Sequence, residues 1–299
     1  MIRKFMGRAW AVFLLYFTAV HASAMVHKIG PDLYAYISEN DSSANSTFLV
    51  SDRGILVVDS GLNMNEGQKL LNEIRKVSAA TVRWIVNTHY HPDHRGGNRV
   101  VGPDAIILST EETREGVLRW VGQQASEFGK KPVEYQLNET VDARGVELFV
   151  GGHEVRIYSA GPAHTLGDAV VYFADEQTVS TGDLFLTNSC PSMDTGDMEN
   201  WIAALDQILA LPLEHVVPGH FDLATKNELQ RFRAYLADLR EQVARMYHNG
   251  VPLKQMENRL NLIAYKDFRQ FPQFGATFKD NAAAYYEQLK RRKTSSHAH

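Results

Sequence analysis

The sequence predicts an α/β fold of two mainly antiparallel or mixed sheets packed face to face, with helices on the outside. Three observations carry this. Short runs rich in β-branched and aromatic residues, divided by Asn, Asp, Ser and Gly, recur along the chain. In each half the strands come first and a helix follows. Two segments turn back on themselves at hairpin signals.

In chain order, "LYAYIS", "STFLVSD" and "GILVVDSG", from residue 33 on, read as strands. "NEGQKLLNEIRKVS" has helical spacing, with Leu70, Leu71, Ile74 and Val77 on one face. "VRWIVNTH" and "DAIILST" are further strands, and a helix is expected over about 111–128. In the second half, "GVELFVGGHEVRIYSAG" reads as a hairpin turning at Gly151-Gly152. "DAVVYFADEQTVSTGD" reads as another, turning at Asp175-Glu176. "ENWIAALDQILAL" is helical through Trp201, Leu205, Ile208 and Leu209, and "EHVVPGH" is a strand and a turn. Residues 223–248 read as one long amphipathic helix closed by Asn249-Gly250, followed by shorter helical patterns near 252–261 and 279–292.

The first 24 residues stand apart. "MIRKFMGR" is basic, "AWAVFLLYFTAV" is apolar, and "HASA" places Ala22 and Ala24 in a small-x-small pattern. This is the layout of a secretory signal peptide cut after Ala24, which directs the protein to the periplasm or outside the cell. The apolar run is too short to span a membrane, which takes about 20 residues, and no later stretch is long enough. The expected divisions are a signal at 1–24, a main domain at 25–250, and a helical extension with a basic tail at 251–299.

The 299 residues carry 31 basic and 35 acidic side chains, a net charge of −4. Loss of residues 1–24 removes three basic residues and no acidic one, leaving −7. Such a chain is a poor nucleic-acid binder, which needs a basic surface. Cys190 is the only cysteine, so no internal disulfide forms. It reads as a small buried apolar residue, with a role on the substrate side as the alternative.

Residues 87–98, "NTHYHPDHRGGN", concentrate the chemistry. His89 and His91 lie two apart, which on extended chain puts them on one side. Pro92 favours that extended geometry at His91. Asp93 and His94 follow the bend and approach from a second direction. Four such ligands in six residues have no ordinary packing use, and two metals side by side could divide them. His164 in "GPAHTLGD", Asp183 in "STGDLF" and His220 in "VVPGH" each sit on a glycine-containing loop at a strand end. A single loop histidine is ordinarily polar surface; here strand ends of a two-sheet sandwich can gather at one edge. The other seven of the twelve histidines lack the pattern, and His153, His215 and His248 read as exposed turn or helix-end residues.

"HYHPDH" resembles the H-x-H-x-D-H motif of the metallo-β-lactamase superfamily. The resemblance extends in order through "ILVVDSG", "GPAHTLGD", "STGDLF" and "VVPGH", over roughly residues 30–240. It implies an αββα four-layer sandwich with the site at the sheet edge. It also implies a partition: His89, His91 and His164 on one metal, Asp93, His94 and His220 on the other, and Asp183 between them. Asp59, in "VVDSG", would orient a ligand instead of binding metal. The β-lactamases themselves usually carry Cys or Ser where Asp183 stands; an Asp resembles the glyoxalase II, lactonase, sulfatase and phosphodiesterase branches. The 70 positions from His94 to His164 resemble lactamase spacing more than glyoxalase II spacing.

The expected function is an exported hydrolase with two zinc ions, iron or manganese also suiting the donors, acting on a small-molecule lactam, lactone, thioester or other ester-type substrate. Asp93 would orient the nucleophile. The alternatives are a mononuclear iron enzyme resembling the persulfide dioxygenases, and a non-catalytic periplasmic metal or ligand binder. Substrate choice is expected to lie with loops 60–67, 119–135 (Trp120, Phe128, Tyr135) and 185–197.

Overall fold

The computed structural model describes residues 25–128, 139–142, 144–193, 195–272 and 275–296. The expected signal segment and the tail residues His297 and His299 lie outside them.

Seven strands form the first sheet in sequence order: β1 (Met25–Lys28), β2 (Leu33–Ile37), β3 (Ser46–Ser51), β4 (Gly54–Val58), β5 (Val82–Val86), β6 (Ile106–Thr110) and β7 (Glu139–Val141). The first four pair antiparallel, and β4 through β7 pair parallel. Parallel neighbours need crossovers. These are supplied by α1 (Met64–Val77), by the one-turn helices α2 (Pro92–Arg95) and α3 (Asn98–Val101), and by α4 (Glu111–Phe128).

The second sheet holds β8 (Val146–Val150), β9 (His153–Gly161), β10 (Asp168–Phe173), β11 (Thr178–Ser180) and β12 (His215–Val217). Both expected hairpins are present as antiparallel pairs. β11 and β12 are parallel, joined through α5 (Met198–Leu209). Outside this sheet lie α6 (Lys226–His248), α7 (Leu253–Met256) and α8 (Phe278–Ser296).

The two-residue period of the strands sorts side chains into layers. Leu56 and Val58 of β4 meet Val171 and Phe173 of β10 in the core between the sheets. Their neighbours Ile55 and Val57 face Leu70 and Ile74 of α1. On the other side, Val170 and Tyr172 pack with Trp201 and Leu205 of α5 and Phe232 and Leu236 of α6. Met256, Leu262, Phe268 and Tyr285 of the C-terminal region join this same outer core. The result is the αββα sandwich. Thr47 and Ser180 hydroxyls meet at 2.6 Å between the sheets.

The structure corrects four local expectations. Val77, the last residue of α1, is 39% exposed, so the apolar stripe ends one turn early. The long helix starts at Lys226, because Ala224 pairs with Val216 in both directions (2.8 and 3.0 Å) and Thr225 then caps the helix. The 252–261 pattern makes only the single turn α7, since the Gln242 side chain binds the backbone N–H and C=O of Asn261 at 2.8 and 2.9 Å. His153 and His215 are half-buried, not exposed.

Candidate metal centre

All seven expected ligand residues gather at one edge of the sandwich, where several strands end together. β4 runs into Asp59, β5 into His89, β11 into Asp183 and β12 into His220. His164 lies in the loop between β9 and β10. Such strand ends are the usual place for sites in α/β sheets. His91 precedes α2 in extended backbone (φ −61°, ψ 143°), as its proline neighbour requires. Asp93 and His94 then sit on α2.

Two groups form. Ligand atoms of His89, His91, His164 and Asp183 lie within 4.8 Å of one another, as do those of Asp93, His94, Asp183 and His220. Asp183 belongs to both. His89 Nε2 is 2.9 Å and His164 Nε2 is 3.3 Å from His91 Nδ1. Asp183 Oδ1 is 3.2 Å from His94 Nε2 and 3.6 Å from His220 Nε2, and its Oδ2 is 3.7 Å from His164 Nε2. His220 Nε2 also stands 3.1 Å from Asp93 Oδ2.

The opposite ring nitrogens are held by the protein. His94 Nδ1 donates to Asp59 Oδ2 at 2.7 Å. His164 Nδ1 donates to Ser192 O at 2.6 Å, and His220 Nδ1 to Asp41 O at 3.0 Å. His89 Nδ1 faces Thr88 Oγ1 at 3.1 Å, while that hydroxyl donates to Asp59 Oδ2 at 2.8 Å. Outer contacts of this kind fix the tautomer and aim Nε2 inward. Thr88, Asp41 and Ser192 carry no signal in the sequence: Thr88 adjoins the motif without being a ligand type, and the other two act through backbone carbonyls.

The donor set fits a metal cation. His94 Nε2 and Asp183 Oδ1 are buried and, although 3.2 Å apart, make no aligned hydrogen bond with each other or with any other described residue. Leaving such atoms unmatched is costly. A tetrahedral ion with bonds near 2.0–2.1 Å sets its ligand atoms about 3.3 Å apart, and the distances given above, from 2.9 to 3.7 Å, bracket that spacing. Burial pushes His89 well below the ordinary imidazole range, reinforced by His94 and His91. Burial acts the same way on His94, but the carboxylates of Asp183, Asp59 and Asp93 overcome it and draw positive charge there. Likewise Asp183 stays ionised despite burial, because His94 and His220 face it.

Glycine makes the approach of the loops possible. A Cβ at Gly219 would strike Asp183 Oδ1. Gly182 holds a left-handed backbone (φ 51°) against Thr88. Asn45 ties the other sheet's loop to this turn, bonding Pro218 O at 3.1 Å and Phe221 O at 2.7 Å.

Of the expected rim, the Trp120 ring lies 4.9 Å from the guanidinium of Arg95, which bonds Tyr90 O at 2.8 Å. Tyr135 and the Phe128 side chain lie outside the described residues. Cys190 is fully buried against Tyr235 (Sγ to Oη 3.1 Å), so it packs as a core residue. The opposite end of the sandwich carries a surface cavity of about 500 Å³ beside Arg53, Arg83 and Phe149. It also carries His153 beside Asp32, Asp175 and Glu176, each at 3.5 Å.

Comparison with known proteins agrees with this geometry. The family model for the metallo-β-lactamase superfamily matches residues 40–220. Among curated proteins, the α subunit of 2,4-dinitroanisole O-demethylase from Nocardioides sp. (strain JS1661) is 26% identical over 60% of this chain and 53% of its own. A linear primary-alkylsulfatase from Pseudomonas sp. (strain ATCC 19151) is 20% identical over 70% of this chain and 48% of its own. The chain thus spans about half the length of these relatives. In fold it is similar to the sec-alkylsulfatase Pisa1 from Pseudomonas sp., with a TM-score of 0.72 at 14% identity over 89% of this chain and 50% of that one. It is also similar to a metallo-β-lactamase from Pontibacter korlensis, with a TM-score of 0.57 at 20% identity over 72% and 99% of the two chains. The chain belongs to the metallo-β-lactamase superfamily of metal-dependent hydrolytic enzymes.

Proposed function

We propose that the protein is a hydrolase with two zinc ions that cleaves an ester-type bond in a small molecule. The observation that carries this reading is Asp183, whose two oxygens face two complete sets of ligands, His89, His91 and His164 on one side and Asp93, His94 and His220 on the other. Nitrogen and oxygen donors without sulfur suit zinc, and iron and manganese accept them too. Zinc, when bound, supplies Lewis acidity, which brings the pKa of water near neutrality and polarises the bond to be broken.

The chain's own residues do the rest. Asp93 is the most exposed of the site carboxylates, with 23% of its side chain open against 10% for Asp183. From that position it accepts a hydrogen of the attacking water and orients it. His89, His94 and His164 form a dry floor, each almost fully buried. Asp59, Thr88, Ser192 and Asp41 keep the imidazoles aimed before substrate arrives. The named activities of the curated relatives make a primary alkyl sulfate and an aryl methyl ether worth testing beside lactams, lactones, thioesters and phosphodiesters. We also propose that residues 1–24 export the chain, which N-terminal sequencing of the secreted or periplasmic form tests.

The first test is metal content by plasma mass spectrometry on protein purified without chelator, followed by the substrate panel. About two zinc per chain and hydrolysis of a panel member, lost together in Asp93→Ala, are expected. One iron with little zinc, or full zinc and full rate in Asp93→Ala, would overturn the reading.

A further inference from the structure

Two loop segments that supply no ligand hold His164 in place. The Ser192 carbonyl accepts the His164 Nδ1 hydrogen at 2.6 Å. Asp197 N donates to Ala163 O, beside His164, at 3.1 Å. Both segments are gripped from α8, more than eighty residues later in the chain.

The grip centres on Asn281, which is fully buried. Its Oδ1 accepts from Met193 N at 2.9 Å, and its Nδ2 donates to Pro191 O at 2.8 Å. Nδ2 also stands 3.2 Å from Cys190 Sγ and from Tyr235 Oη. One amide therefore binds the residue before Ser192 and the residue after it. With both flanking peptide groups held, the Ser192 carbonyl has one direction left, and that direction is His164. Two turns further along α8, Gln288 Oε1 accepts from Met198 N at 3.2 Å and its amide binds Asp197, which Arg292 also holds at 2.6 Å.

We propose that Asn281 is a positioning residue for the metal centre, acting through the backbone of 191–193 to aim the His164 imidazole. The C-terminal helix is then part of the site's support and not a separate appendage. A side chain that only filled the outer core would affect stability and leave the metal constants alone. Asn281 differs because its two bonds end on the peptide groups flanking the carbonyl that orients a ligand. The inference rests on the reading that His164 is a ligand.

The test is stepwise zinc binding to metal-stripped protein in competition with a chromophoric chelator. Asn281→Asp keeps the volume and the acceptor for Met193 N but loses the donor to Pro191 O; Asn281→Ala loses both. Expected is a weakening of one zinc constant by about 10–100-fold, with the other unchanged. Tyr285→Phe is the control: it removes the 2.6 Å bond from the same helix to Glu199, which lies on α5 outside both loop segments. It should lower the melting temperature and leave both constants alone. Unchanged constants in Asn281→Asp, an equal loss in both, or the same loss in Tyr285→Phe would overturn the proposal. Nitrogen-15 resonances of the histidine rings in metal-free protein give a second readout. A protonated Nδ1 on His164 that persists in the wild type and is lost in Asn281→Asp supports the proposal; persistence in both overturns it. If the wild type takes up no zinc, the ligand reading fails, and this ring signal still decides the role of Asn281.

Discussion

His94 and Asp59 meet at 2.7 Å with both side chains almost wholly removed from solvent. Asp59 does not face the ligand cluster directly. Its Oδ1 takes the Thr88 N–H at 2.9 Å and its Oδ2 takes the Thr88 hydroxyl and His94 Nδ1. The bond leaves His94 Nε2 pointing at Asp183, so a residue outside the candidate ligand set decides where a candidate ligand atom lies.

Asp59→Asn keeps the shape but cannot serve as the same acceptor for three donors. Zinc affinity should fall by about 10–100-fold with the fold intact. Chelator competition and a thermal melt on metal-stripped protein check this. Stripping the wild type should lower its melting temperature, and returning zinc should restore it, because a ligand that binds only the native state stabilises it.

Gly219→Ala places a methyl group against Asp183 Oδ1 and against the backbone of Gly182 and Asp183. The rigid partners cannot move away cheaply, and overpacking of this kind costs about 1–3 kcal/mol. The variant should melt earlier and hold less zinc per chain in mass spectrometry.

Burial pushes the Cys190 thiol from an ordinary 9.0 up to about 12. A protonated, covered thiol is unreactive. Native protein at pH 8 should give no reaction with a thiol reagent, and denatured protein should give one equivalent. The folded value lies above the unfolded one, so this group's stabilisation is complete below pH 9.0 and is lost as the pH rises toward about 12. Cys190→Ser should flatten that alkaline loss in urea melts between these limits.

At the start of α6, Thr225 and Glu228 form a reciprocal capping box. Thr225→Ala should destabilise the protein by about 1 kcal/mol, measured by denaturant unfolding. The Thr225 side-chain bond holds the Glu228 carboxyl below its ordinary value. The cap's contribution is therefore complete above pH 4.5, the ordinary value, and fades as the pH falls below it.

Much of this site is legible in the amino-acid sequence. A ligand has to be His, Asp or a few other types, and two-residue spacing on extended chain has one geometric meaning. His89, His91, Asp93 and His94 stand out by density, and His164, Asp183 and His220 by their place on glycine loops after apolar strands. The strands are legible too, since the unbroken apolar runs in "GILVV" and "DAVVYF" report two faces, each covered. Strands β1 and β7 are short and largely uncovered, without the buried run of the equally short β11 and β12, and the strand pattern of the sequence does not include them.

By itself, then, the sequence named the candidate ligands and a two-sheet α/β fold whose strand ends can gather them at one edge, while the αββα layering was what its family resemblance implied. Local physics suffices for that, because side-chain type and period act over a few residues. Only the tertiary structure decided how each imidazole is aimed. Ser192 and Asp41 act through carbonyls that every residue owns, and Asn281 reaches Met193 across 88 positions of chain. A hydrogen bond depends on distance and angle between groups the fold brings together, and no spacing along the chain encodes either.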